Sequence, residues 1–293
     1  MNIPVFFYHY GYQDYLGLCV RQTSQNNRVI LIGDKDNEHL GQLDNVEHYF
    51  ASDYQEGVEN FATNYCHLNS SSVKYELMCY VRWIITRNVA QILGIDALFY
   101  SDSDNLIYSD LSKVYKNIGS PSLALSVPYH QPPFRHVATG AVSYWSLEVL
   151  KMFCDFMLRY YVDEDWFEIL QKKWNWHQKE RVGGGICDMT ILWHFVQQTP
   201  HTLLTRVDDQ SAFNHNIRGG ANYYLDEYEV KEGIKKIYFK EGFPWCQNLI
   251  TGEEVMFHNL QFQGSAKDLV KNYTKGLKSV SYTHLTLPTI LRV

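Results

Sequence analysis

A chain of 293 residues, 45% of them hydrophobic, can bury the core of one large α/β domain or two small ones. Its formal net charge of -6, with no Lys/Arg-rich block, excludes a basic footprint and with it nucleic acid as an expected partner. Six scattered cysteines (Cys19, Cys66, Cys79, Cys154, Cys187, Cys246) form neither a CxxC pair nor a zinc-spaced cluster, and they read as ordinary thiols in a reducing compartment.

The first residues carry no basic n-region and no apolar run of membrane length, so a cytoplasmic chain without a transmembrane segment is expected. Ile3-Pro4-Val5-Phe6-Phe7, closed by Tyr8-His9-Tyr10-Gly11, predicts a buried strand and a loop. Residues 14–25 set Leu16, Cys19 and Val20 on one helical face, and residues 28–32 repeat the buried-strand pattern before Gly33-Asp34. A strand, a helix and a second strand in that order imply a parallel sheet.

From Ser72, a helix-capping type, to Leu93, the residues Leu77, Val81, Ile84, Ile85, Val89 and Ile92 recur near helical spacing, and Gly94 follows as a stop. Ala97-Leu98-Phe99-Tyr100 then reads as a buried strand ending on Ser101-Asp102-Ser103-Asp104-Asn105. Polar groups at the carboxyl end of such a strand lie where open α/β sheets bind ligands. Further strands are expected at 123–127, 137–144, 203–207 and 237–239, and helices at 147–160 and 188–197. Without repeat or linker, residues 1–278 read as one domain whose second half, from about 128, is less regular. Residues 279–293 break from the Lys-rich helical character of 268–278 and resemble a translated sequencing-adapter tail, so they are kept out of the expected fold.

Three D-x-D triplets occur: Asp34-Lys35-Asp36, Asp102-Ser103-Asp104 and Asp163-Glu164-Asp165. Only Asp102 and Asp104 follow both a long helix and a buried strand, and a rigid strand end is where two carboxylates can be held for a hard divalent cation, Mg2+ or Mn2+. The plain alternative is that these acids cap a turn and the next helix, near Asp110-Leu111.

The stretch Ala97-Leu98-Phe99-Tyr100-Ser101-Asp102-Ser103-Asp104 resembles the D-x-D strand of GT-A nucleotide-diphospho-sugar glycosyltransferases, and the helix before it, with Tyr75-Glu76-Leu77 and Arg82-Trp83, is similar to bacterial members. The resemblance implies a Rossmann-like, mostly parallel sheet flanked by helices, with a donor half at 1–127 and an acceptor half at 128–278. It implies metal-dependent transfer of a sugar from a nucleotide-diphosphate donor to a glycan or glycoconjugate acceptor, with the cation on Asp102 and Asp104 and Ser103 between them beside the donor.

In that fold the loop after the first strand and the end of the second receive base and ribose, which points to Tyr8, His9 and Asp34, each of which has a packing or loop alternative. Arg82, and less directly Arg87, would reach the phosphates or ribose. Residues 137–143 resemble the strand behind the donor sugar, where Gly140 permits close approach or serves a turn. Gly183-Gly184-Gly185 leads into Asp188, an acid that would touch donor sugar or acceptor, act as an inverting base, or complement a helix dipole.

Residues 257–267 look like the C-terminal His...Gly...Lys segment of metal-dependent transferases related to glycogenin, in which the His is a third metal ligand and the Lys contacts the diphosphate. By that resemblance His258 is the candidate ligand and Lys267 the diphosphate contact. The spacing departs from the pattern, because the His normally lies three residues before the Gly, where Gln261 stands. Two other classes compete: a haloacid-dehalogenase-type phosphohydrolase, which also ends a strand on D-x-D, and a nucleotide-sugar-binding domain without turnover.

Overall fold

The computed structural model describes residues 2–129, 131–208, 210–222 and 226–274, so the adapter-like stretch lies outside the described residues. In chain order the donor half runs β1 (Val5–Tyr8), α1 (Asp14–Ser24), β2 (Val29–Gly33), β3 (Val46–Phe50), α2 (Val58–Asn64), α3 (Val73–Ile92), β4 (Ala97–Ser101), β5 (Asn105–Ile107), α4 (Leu111–Asn117) and β6 (Leu123–Ser126). The second half continues with β7 (Thr139–Ser146), α5 (Leu147–Val162), α6 (Glu164–Glu180), α7 (Asp188–Val196), β8 (Thr202–Leu203) and β9 (Ser211–Ala212). It closes with β10 (Val230–Lys231), β11 (Ile234–Lys235), β12 (Tyr238–Lys240), β13 (Phe243–Gln247), β14 (Glu254–Phe257), β15 (Asn259–Gln261) and a 3-10 segment, Gly264–Asn272.

Seven strands form one sheet in the order β3-β2-β1-β4-β7-β6-β8. Every neighbouring pair is parallel except the two that involve β7, so β7 is the one reversed strand of this sheet. The expected α/β class with a mostly parallel, helix-flanked sheet is therefore what the chain forms. Its strands are legible as apolar runs because both faces are covered. Phe6, Ile30, Leu98 and Tyr100 pack under α3, α5 and α7 on one side, while Val5, Phe7, Val29, Leu31 and Phe99 pack with α1 and α4 residues on the other.

A second, four-stranded sheet, β12-β13-β14-β9, builds a third cluster around Phe257, Leu260, Phe262 and Val270. From it β15 reaches back to pair with β5, registering Gln261 opposite Asn105. That pairing ties the end of the described chain to the turn after β4.

Two local expectations change. The strand at 203–207 shortens to β8, Thr202–Leu203. The acids at 163–165 begin a helix: the Asp163 carboxylate accepts from the backbone N–H groups of Asp165 and Trp166, an N-cap for the 17-residue α6. Among the described residues no helix is long and apolar enough to cross a membrane.

Candidate functional site

At the carboxyl ends of β1 and β4 lies a cleft of about 480 Å³, bounded by the β1 loop, the cleft-facing side of α3 and the 3-10 segment. Tyr8, His9, Arg82, Asp102, Ser103, Asp104 and Lys267 all line it. These seven sequence candidates, spread over the chain, are brought together by the fold. The sequence reading had not assigned a role to Lys74, Tyr75, Met78 or Cys79, which also line the cleft from α3. Their signal was the side of α3 away from Trp83 and Ile84, where Tyr75 stands 64% exposed.

The acids face the cleft because β4 is buried up to Ser101, whose successor turns out of the sheet while the Asp102 N–H still bonds the Ala141 carbonyl at 2.8 Å. Asp104 is the more enclosed, its side chain 12% exposed against 28% for Asp102. Burial, then the neighbouring Asp102 charge, push its carboxyl up to about 6, against the opposing pull of Lys267 and Gln261. Those two neighbours are loose, with Lys267 Nζ at 3.6 Å and Gln261 Nε2 at 3.4 Å. Asp104 is thus the under-compensated member of the pair, and a hard divalent cation shared with the more exposed Asp102 would supply the missing positive charge.

Arg82 is the hub of the opposite wall. Ser72 caps α3 by accepting from the Tyr75 N–H at 3.3 Å, and the helix then carries Trp83 into the core and Arg82 to its edge. One guanidinium nitrogen donates to Asp102 at 2.8 Å and another to Asp188 at 2.7 Å. Burial works against its charge, but Asp188, Tyr100 and Asp102 outweigh this and hold it above its ordinary range. Its plane also lies near the Trp83 and Tyr100 rings, at 5.1 and 5.4 Å.

On the β1 side, His9 bonds Ser103 through Nδ1 at 2.8 Å and Gln13 through Nε2 at 2.7 Å, and burial lowers its basicity. Ser103 and the β1 loop are thereby locked together. Lys267 Nζ, besides facing Asp104, sits 5.0 Å from the Tyr15 ring.

Four candidates lie elsewhere. Asp34 accepts from the N–H groups of Gly11, at 2.7 Å, and Asp36, at 3.0 Å, so it shapes the loop and does not line the cleft. Gly140 is pressed against the core: a Cβ there would meet the Trp83 ring at 2.5 Å. Asp188, read from sequence as a catalytic or sugar-contacting acid, has its oxygens engaged by Arg82, the Trp83 indole N–H at 2.8 Å and the Met189 N–H at 2.9 Å. A carboxylate so occupied and 3% exposed is not poised to take a proton from an acceptor.

His258 also stands apart from the carboxylates. Its Nδ1 bonds Ser109 at 2.7 Å, its ring packs on Phe213, and burial lowers its pKa to about 4. The side chains that reach Asp104 from this segment are Gln261 and Lys267. The glycine run before α7 has a packing reason as well: at Gly185, with φ of 147°, a Cβ would meet the Leu68 carbonyl at 2.4 Å. Arg87 bonds Asn88 and the Glu56 carbonyl and is not part of the cleft lining.

No family model matches the chain, and no curated protein matches it. Among solved structures it is similar to mouse xyloside xylosyltransferase 1 in its apo form, at 10% identity over 72% of this chain and 87% of that one, with a TM-score of 0.47. An active-site mutant of LgtC matches at 14% identity over 73% and 75% of the two chains, with a TM-score of 0.43. The glycosyltransferase GlyE of Streptococcus pneumoniae TIGR4 matches at 13% identity over 72% and 47%, with a TM-score of 0.35.

Proposed function

We propose that the chain is a metal-dependent glycosyltransferase that takes a nucleotide-diphospho-sugar into the β1–β4 cleft and moves the sugar to a glycan or glycoconjugate acceptor. The observation that carries this reading is the paired carboxylates of Asp102 and Asp104 at a strand end, inside a cleft that also receives the cations of Arg82 and Lys267. Asp102 and Asp104 would hold Mg2+ or Mn2+; the Gln261 amide, which donates to Asp104 and accepts from Gln263 at 3.1 Å, would have to turn over and give up the Gln263 bond to add a third oxygen. When bound, the cation would stabilise the charge that develops on the diphosphate leaving group.

The chain's own residues do the rest. Lys267 faces the phosphates from the 3-10 segment, and Tyr8, His9 and Ser103 form the floor beneath base and ribose. Asp188 acts as a positioning residue, since it fixes Arg82 through one oxygen and Trp83 through the same atom. A phosphohydrolase of the haloacid-dehalogenase type would instead use Asp102 as the nucleophile that takes up the phosphoryl group.

The test is nucleoside diphosphate release from a panel of nucleotide sugars with and without Mn2+. Metal-dependent release supports the proposal, and Mn2+-dependent binding with no release under any acceptor would make the chain a binding domain. An aspartyl-phosphate trapped by beryllofluoride, without nucleotide-sugar binding, would overturn the reading in favour of the hydrolase.

A further inference from the structure

A second cavity, of about 260 Å³, lies between α6 and α7 and is lined by Phe134, His136, Ile169, Lys173, Thr190 and Trp193. Thr190 is two positions after Asp188 on α7, about 200° round the helix, so this cavity and the Arg82 cluster use opposite sides of the same first turn. Its one cation is unusual. Lys173 is 6% exposed, and its Nζ donates to the His136 carbonyl at 3.0 Å and to the Thr190 hydroxyl at 2.8 Å. An ammonium has three donors, so one remains.

Among the described residues Lys173 makes no ion pair, and a buried charge without a counter-ion is costly. Burial brings its pKa down to about 8, which still leaves it charged at neutral pH. The walls are apolar: the His136 ring stacks on Trp193 at 4.3 Å, Phe134 stacks on Trp176 at 5.9 Å, and Ile169 adds an aliphatic side. Nearby His194, lowered to about 4 mainly by burial, adds no charge at neutral pH.

We propose that this cavity is a binding site, separate from the donor cleft, for a single-ring compound bearing one carboxylate. The carboxylate takes the free Lys173 donor and supplies the missing counter-charge, while the ring lies against Phe134, Ile169 and the His136–Trp193 pair. The cavity falls below the roughly 300–1,000 Å³ of drug-sized sites, which leaves room for one ring. A single cation matches a monoanion, whereas a phosphate dianion would bring a second, uncompensated charge. Both uronic acids and hydrophobic ring acids carry this chemistry.

Titration calorimetry on the full chain tests the site with glucuronate, benzoate, glucose and inorganic phosphate. Glucuronate identifies an acidic sugar as the occupant, benzoate a hydrophobic ring acid, and either is expected to bind at least about tenfold tighter than glucose or phosphate, the worth of one charge-assisted hydrogen bond. Lys173→Met should remove that advantage. Ile169→Trp, at a position 40% exposed, should fill the cavity and abolish binding while melting temperature and donor-cleft Mn2+ affinity stay at wild-type values. Absence of carboxylate binding, phosphate binding as tight as carboxylate, or wild-type affinity in the Ile169→Trp protein would each overturn the proposal.

Discussion

Asp104 shows how one side chain couples stability to the proposed chemistry. Its pKa of about 6 lies above that of a carboxyl in an unfolded chain, so folding takes up a proton between about 3.9 and 6: stability is fully present below about 3.9 and is lost as pH rises through 6. Above that point the buried charge opposes folding. Asp104→Asn should therefore raise the melting temperature at pH 7.5, by about 2–4 °C per kcal/mol recovered, and the gain should vanish at pH 4. The same change should lower turnover at least about a hundredfold. In the unsubstituted chain Mn2+ has to displace the Asp104 proton, so its affinity should fall about tenfold per unit below pH 6. Calorimetry at pH 5 and 7 reads this directly, and equal affinities would contradict the assigned ligand.

His258 and Gln261 separate spacing from direction. His258→Ala should leave Mn2+ affinity intact and cost about 1–3 kcal/mol through the lost Ser109 bond and Phe213 packing. Gln261→Ala should weaken Mn2+ binding several-fold with little loss of stability, and the opposite ordering would sink the assignment. The acids were legible in the sequence because their strand is apolar up to Ser101. The ligand segment was not, because positions three apart on extended chain lie about 10 Å apart and face opposite ways. Only the β15–β5 register, fixed by tertiary pairing, decides which one meets Asp104.

Among the elements, α3 was the easiest to read and the most consequential. Its capping Ser72, its apolar recurrence and the stop at Gly94 are all local signals, and the helix runs Val73–Ile92 as they imply. β3 and α6 carry weak local signals for different reasons: β3 is an edge strand in which only Val46 is buried, and α6 is polar on average and buries only Leu170, Lys173 and His177. The role of Gly140 also depended on packing that no local pattern reveals. Because a Cβ at 140 would strike Trp83, whose indole holds Asp188 and through it Arg82, Gly140→Ala should cost about 1–3 kcal/mol and weaken nucleotide-sugar binding together. Urea melts and calorimetry on one preparation check both. Weakened binding with unchanged stability would instead place Gly140 in contact with the donor.

At the scale of the molecule, the cleft is closed by chain far removed from the strand that carries the acids. The second sheet leads through β15 into the 3-10 segment, where Ala266 and Val270 are buried, the Tyr273 carbonyl accepts from the Tyr108 hydroxyl at 2.9 Å, and Lys267 reaches Asp104. A chain ended after Phe262 should lose both that packing and its phosphate-facing cation, melting several degrees lower and binding a nucleoside diphosphate with Mn2+ at least about tenfold more weakly. A chain ended after Lys278 should behave as the full one, because residues 279–293 read as an appended tail. Scanning calorimetry and titration with Mn2+ and a nucleoside diphosphate compare the three lengths. If removing 279–293 alone costs more than about 1 kcal/mol, the tail is packed and its exclusion from the fold is wrong. If removing 263–293 leaves binding untouched, Lys267 contributes nothing to the cleft, and the site reduces to what β1, α3, β4 and β15 supply.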